Sequence, residues 1–162
     1  MSKKTDNGKK NVVVVGGGYA GIHAVNYTAK KLDKAKYNLI LINPRPYYLH
    51  LVATLRMSVS DTDKLEEKAF VPYDRLPCTF VQGKVTAIEE TAPGKGGAVV
   101  LDNGEHIDYT ALVLATGSKW SGTTNFGETE EEVQKHIRLW RDRFAKAKNI
   151  VVVGGGAVGI GM

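Results

Sequence analysis

Gly16, Gly18 and Gly21 fall in the order G-x-G-x-x-G, with Gly17, Tyr19 and Ala20 between them. The β-branched run at 11–15 precedes them and a helical pattern follows. In that context the glycines do different things. Gly16 permits a tight turn, Gly18 lets backbone approach a pyrophosphate, and Gly21 allows helix and strand to pack closely. The helix start then offers N–H groups to an anion. This is the signature of a dinucleotide site. Asn43 stands at the end of the next apolar run, where an acid commonly accepts from the adenosine ribose hydroxyls. Its amide oxygen can still bond a diol, but it lacks the charge that repels a 2′-phosphate. Arg45 is then either an ordinary loop arginine or a contact to a 2′-phosphate or pyrophosphate. A second turn, with Gly154, Gly156 and Gly159, repeats the first 138 residues on, again after an asparagine and a β-branched run. Two such openings argue for two dinucleotides. The second either binds one or merely places a strand.

The elements that must hold these turns are legible from periodicity. Runs at 11–15 and 37–42 suit strands buried on both faces. Between them Ile22, Val25, Ala29 and Leu32 recur at helical spacing over 19–32. Strand, turn, helix and strand make a right-handed parallel βαβ unit. Pro44 and Pro46 predict a loop over 43–48. A helix is expected over 51–59, with Leu51, Leu55 and Val59 on one side. Segments 78–85, 98–102 and 105–109 read as an antiparallel meander, the last two joined by a type I′ turn at Asn103 and Gly104. Residues 110–115 return to the buried-strand pattern. Thr129 and Glu132 form a capping box for a helix whose Val133, Ile137, Trp140 and Phe144 share a side. A further buried strand is expected at 149–153.

Composition excludes several classes. Of 162 residues, 43% are hydrophobic and 24% charged, as in a folded soluble domain. The net charge of +5 is concentrated at the start, where Lys3, Lys4, Lys9 and Lys10 face only Asp6. Residues 1–10 are therefore expected to be a disordered basic tail, and the nearly neutral remainder gives no reason to expect a nucleic-acid partner. No apolar run reaches the ~18 residues of a membrane span. Cys78 is the single cysteine, which rules out an internal disulfide and suits a reducing compartment. It reads as an inert strand residue or a redox-sensing thiol. His23, His50, His106 and His136 are scattered, and no metal is expected.

Taken together, residues 11–160 resemble the two-dinucleotide-binding-domain flavoproteins of the pyridine nucleotide-disulfide oxidoreductase superfamily. Within it they are most similar to the apoptosis-inducing-factor-like NAD(P)H:quinone oxidoreductases related to ferroptosis suppressor protein. The likeness rests on the first glycine turn, on 50–56 (HLVATLR), on 112–118 (LVLATGS) and on 151–159 (VVVGGGAVG). It implies an α/β fold: a Rossmann-like FAD-binding domain over 11–148 with a parallel sheet and an inserted β-meander. An incomplete NAD(P)-binding unit would follow over 149–162. The resemblance places FAD on Gly16, Gly17, Gly18, Tyr19, Ala20 and Gly21, with Asn43 facing the ribose and Arg45 beside it. Ala115, Thr116 and Gly117 would add a second contact, with Val85 among the flavin contacts and His50 to Arg56 along the isoalloxazine edge. By its residues alone His50 is a hydrogen-bonded structural histidine or an acid or base. Gly154, Gly156 and Gly159 would take NADH or NADPH. The implied chemistry is hydride transfer to flavin and then reduction of a small acceptor, a quinone above all, in the cytoplasm or peripherally on a membrane. A lone Cys78 cannot supply the paired redox cysteines of the disulfide reductases. The resemblance also implies a longer protein, and Gly161 stands where a glutamate is usual, so the chain reads as C-terminally truncated with doubtful turnover. A non-catalytic module for NADP or an adenine nucleotide, or an interaction fragment, is the alternative.

Overall fold

The computed structural model describes residues 8–156 and 159–160. Lys3 and Lys4 of the expected tail lie outside the described residues, as do Ala157, Val158, Gly161 and Met162. Lys9 and Lys10 are not tail residues: the Lys9 ammonium donates to the Lys34 carbonyl, and Lys10 opens the first strand. The chain forms two compact units, one from residues up to Pro46 with Pro72–Gly117, the other from Tyr47–Val71 with residues from 118 onward.

The first unit is built on a parallel sheet in which β1 (Lys10–Val15) pairs with β2 (Tyr37–Asn43) from Lys10 opposite Tyr37 to Val15 opposite Ile42. Helix α1 (Tyr19–Lys31) connects them and packs on β1 and β2, with Val25 wholly buried. Residues 11–15 of β1 and 39–42 of β2 are buried, because a strand covered on both faces needs no polar alternation. Val13, Val15, Ile40 and Ile42 pack against Val99, Leu101 and Ile107 of the antiparallel meander. By the two-residue period of a strand, Val12, Val14, Leu39 and Leu41 are left for the other face, where α1 lies.

In the second unit, β3 (Tyr47–Leu49) pairs with β4 (Phe70–Pro72), and α2 (Leu51–Met57) follows β3 directly. The predicted loop over 43–48 is thus shorter, since Tyr47 and Tyr48 already lie in β3. Helix α2 buries Thr54, Leu55 and Met57, whereas Leu51, expected on its apolar side, is half exposed.

Three sequence expectations need correction in the first unit. Residues 78–85 are not one meander strand. Strand β5 (Thr79–Gln82) runs parallel to β2 at the sheet edge, and β6 (Val85–Glu90) begins the meander against β7 (Gly97–Leu101). Gly83 divides them, and a Cβ there would stand 2.9 Å from Leu101 Cδ1. The turn before β8 (His106–Tyr109) is not type I′. Only Gly104 takes a positive φ, +79°, while the Leu101 N–H bonds the Glu105 carbonyl across three residues. That is a type I turn closed by a left-handed glycine. Finally, β9 (Ala111–Leu114) is an edge strand, in the order β5-β2-β1-β9, and is only partly covered.

Helix α3 (Glu130–Lys146) starts on the expected capping box. The Thr129 hydroxyl accepts from the Glu132 N–H, and the Glu132 carboxylate accepts from the N–H groups of Thr129 and Glu128, which holds its pKa below the ordinary value. Val133 and Ile137 are fully buried with Tyr47, Leu49, Met57 and Ala69, while Trp140 and Phe144 are half-buried. Arg141 donates to the Met57 carbonyl and pairs with Glu66 at 2.7 Å. Residues 149–153, expected as a buried strand, pair with nothing among the described residues, and Val151 and Val153 are 85% and 92% exposed. A doubly covered strand exists only where neighbours cover it, and none does here. Among the described residues no helix is long and apolar enough to cross a membrane.

Candidate functional site

The carboxyl end of β1 carries the first glycine turn, and its three signature glycines are required for different reasons. Gly16 takes φ +106°, and a Cβ on it would stand 2.1 Å from the Ala115 carbonyl oxygen. A Cβ on Gly21 would meet the Gly16 carbonyl oxygen at 1.8 Å. Gly18 is different: a Cβ there meets nothing within 4 Å, and its φ of −78° suits any residue. The space beside Gly18 is open, so the need for glycine there is not internal to the fold.

Gly18 is also the N-cap of α1, with no side-chain cap and no acidic residue in the first turn. Tyr19 and Ala20, the next residues, are exposed. The first N–H groups of a helix have no intrahelical acceptor, and the macrodipole adds a partial positive charge. The turn thus leads into an uncapped, thirteen-residue helix whose first N–H groups lack intrahelical acceptors, an arrangement able to receive an anion such as a diphosphate. Ala115 lies against this turn, its N–H bonded to the Val15 carbonyl at 2.8 Å, and Thr116 and Gly117 continue from it, Gly117 at φ +76°.

Asn43 comes to the same place, but its amide is turned inward. The Gly17 N–H donates to its Oδ1 at 2.8 Å, and its Nδ2 donates to the Arg45 carbonyl at 2.9 Å and the Tyr73 hydroxyl at 3.2 Å. The Tyr73 hydroxyl in turn donates to the Gly17 carbonyl at 2.7 Å. Tyr73 was not visible as a site residue in the sequence. It stands in one turn of 3-10 helix, Tyr73–Arg75, with no periodicity to mark it, and only the pairing of β2 with β5 brings it back to the glycines. Its one sequence signal is the preceding Pro72, which fixes an extended lead-in.

Val85, another expected site residue, lies opposite Leu101 and packs on the core between sheet and meander. In the second unit His50 caps α2, its Nδ1 accepting from the Ala53 N–H at 3.2 Å, and Arg56 lies exposed in the last turn of that helix. The second glycine turn reproduces the first locally. Gly154 takes φ +109°, and a Cβ on Gly159 would stand 2.2 Å from the Gly154 carbonyl oxygen. Gly156 faces open space, and the Ile160 N–H bonds its carbonyl at 3.0 Å, as Ile22 bonds that of Gly18.

Cys78 is half-buried, and burial pushes its thiol up to about 11. The thiolate is the reactive form, so alkylation by iodoacetamide at pH 8 should run about a hundredfold slower than for a free cysteine, accelerating only as pH approaches the thiol's own pKa. A rate equal to that of free cysteine would show a thiol that burial does not hold in its protonated form.

The sequence profile of the pyridine nucleotide-disulphide oxidoreductases matches residues 10–162. The chain belongs to that family. Family members use FAD and NAD(P)H as cofactors. Among curated relatives, a "FAD-dependent oxidoreductase FVFD30" from Flammulina velutipes is 50% identical over 108 residues, covering 64% of this chain and 33% of that protein. Ferroptosis suppressor protein 1 from Taeniopygia guttata is 35% identical over 165 residues, covering 99% of this chain and 41% of the relative. Among solved structures, the sulfide:quinone oxidoreductase of Aquifex aeolicus matches with a TM-score of 0.61 at 26% identity, covering 85% of this chain and 33% of that one. The chain thus spans between a third and about two fifths of the length of these relatives.

Proposed function

We propose that this chain carries the flavin-binding elements of an FAD-dependent NAD(P)H oxidoreductase, with Gly16 to Gly21 holding the FAD diphosphate. The observation that carries the reading is the contrast between Gly16 and Gly21, which the fold itself requires, and Gly18, whose side-chain space is open at the start of an uncapped helix. Tyr19 and Ala20 would offer backbone N–H groups to the same diphosphate, and Ala115, Thr116 and Gly117 would border it. Asn43, Arg45 and Val85, all in the same unit as the glycine turn, are proposed to border the remainder of the cofactor. Gly154, Gly156 and Gly159 would open a nicotinamide-dinucleotide site, so that residues 11–148 serve FAD and 149–162 begin the unit for NADH or NADPH.

When bound, the flavin supplies the hydride-accepting and electron-passing chemistry, and the protein orients its partners and shields the site. The acceptor proposed is a quinone or a similar small oxidant. Likeness to ferroptosis suppressor protein 1 and to a sulfide:quinone oxidoreductase supports this reading. A cytoplasmic or peripheral membrane setting is proposed with it.

The test is titration of the chain with FAD and with ADP, followed by calorimetry and flavin fluorescence, beside Gly18→Val. Both ligands should bind the parent chain. The substitution should weaken both at least about tenfold by placing a side chain in the cradle, with an unchanged circular dichroism spectrum. Equal binding by the variant, or no binding by the parent, would overturn the reading.

A further inference from the structure

The hydrogen bonds around Gly17 form a closed ring with a fixed direction. Gly17 N–H donates to Asn43 Oδ1, Asn43 Nδ2 donates to the Tyr73 hydroxyl, and that hydroxyl donates to the Gly17 carbonyl. A phenol has one proton, and here it goes to Gly17, so the residue at 43 must itself donate to the phenol oxygen. An amide does this and an ionised carboxylate does not. The second Nδ2 hydrogen is directed to the Arg45 carbonyl, where a carboxylate oxygen would meet another acceptor. The ring is tight and sheltered. Tyr73 is 4% exposed with its ring 4.7 Å from that of Phe80, and a Cβ on Gly17 would stand 2.0 Å from the Tyr73 hydroxyl.

We propose that Tyr73 is a positioning residue for the dinucleotide grip, closing with Asn43 a ring that fixes Gly17 and leaves position 43 a single lone pair of a neutral amide, a weak reader of the adenosine ribose. The proposal rests on the dinucleotide reading above and deepens it. Both hydrogens of the Asn43 amide are held by protein, and its oxygen already accepts from Gly17. The amide oxygen keeps one lone pair beyond the Gly17 bond, so position 43 can accept at most one ribose hydroxyl and donate to none; affinity comes chiefly from the diphosphate, with weak regard to the 2′ substituent. The same ring explains why an asparagine stands where a ribose-binding acid is common: the carboxylate would grip the diol and break the ring.

Two measurements test this on the whole chain. The first needs no variant. ADP and 2′-deoxy-ADP should bind within about threefold of each other, whereas a site built to hydrogen-bond the hydroxyl separates them by about tenfold or more. The second compares the parent with Tyr73→Phe, which keeps the ring against Phe80 and removes only the hydroxyl. Amide hydrogen exchange at Gly17 in the ligand-free chain should accelerate about tenfold, and ADP affinity should fall by about three- to tenfold with the 2′-deoxy ratio unchanged. Asn43→Asp should raise the preference for ADP over 2′-deoxy-ADP, because a carboxylate grips the ribose diol more strongly than an amide oxygen. Exchange and affinity within about twofold of the parent in Tyr73→Phe would overturn the proposal, as would strong 2′ discrimination by the parent. Failure of the parent to bind ADP would remove the dinucleotide reading as well, so the two failures are distinguishable.

Discussion

Gly16→Ala is expected to destabilise the first unit by roughly 3–4 kcal/mol, measured by urea unfolding, and to abolish dinucleotide binding with it. Two costs combine. A φ of +106° lies outside the range an alanine adopts readily, and the new methyl would stand 2.1 Å from the Ala115 carbonyl oxygen. Relief would require β9 to move away from β1, although Ala115 is tied to Val15 by a backbone bond of 2.8 Å. Gly18→Ala, two residues on, is the matched control. With open space and a φ of −78°, it should cost no more than about 1 kcal/mol, the difference between glycine and alanine at a helix N-cap. An equal loss at both positions would show that the turn is strained as a whole, and would remove the contrast between Gly18 and Gly16.

The second large effect is expected at Leu41, which is wholly buried on the α1 face of β2. Leu41→Ala should cost about 3–4 kcal/mol, part of it the transfer energy of the lost atoms and part the cavity left in a sheet covered on both sides. Val52→Ala, at a side chain 73% exposed on α2, should be close to neutral in the same urea series. A loss below about 1 kcal/mol at Leu41 would mean that the sheet collapses onto the vacancy, contrary to the dense packing of Val14 and Leu41 at zero exposure.

What could be read from the sequence is what is encoded locally. The runs giving β1 and β2, the helical spacing of Ile22, Val25, Ala29 and Leu32, and the Thr129 and Glu132 box each involve a few neighbouring residues. The structure agrees with all of them. What escaped depends on distant partners. Nothing within residues 78–85 distinguishes a parallel edge strand from an antiparallel meander strand, because direction is set by β2, some forty residues earlier. The exposure of β9 depends on which strand, if any, adjoins its second side, and a run of apolar residues carries no record of that. Asn43 shows the same limit within the site. Its position pointed to the ribose, but the orientation of its amide is decided by Tyr73, thirty positions away.

The second glycine turn carries a consequence of its own. Gly154 adopts nearly the torsion of Gly16, and Ile160 bonds back to Gly156, although the incoming segment has no ladder partner among the described residues. Gly154 therefore holds its left-handed torsion without a sheet beneath it among the described residues. A torsion of that kind is portable: copied elsewhere in a polypeptide, it would arrive with its curvature already drawn, and surrounding structure need only supply the walls.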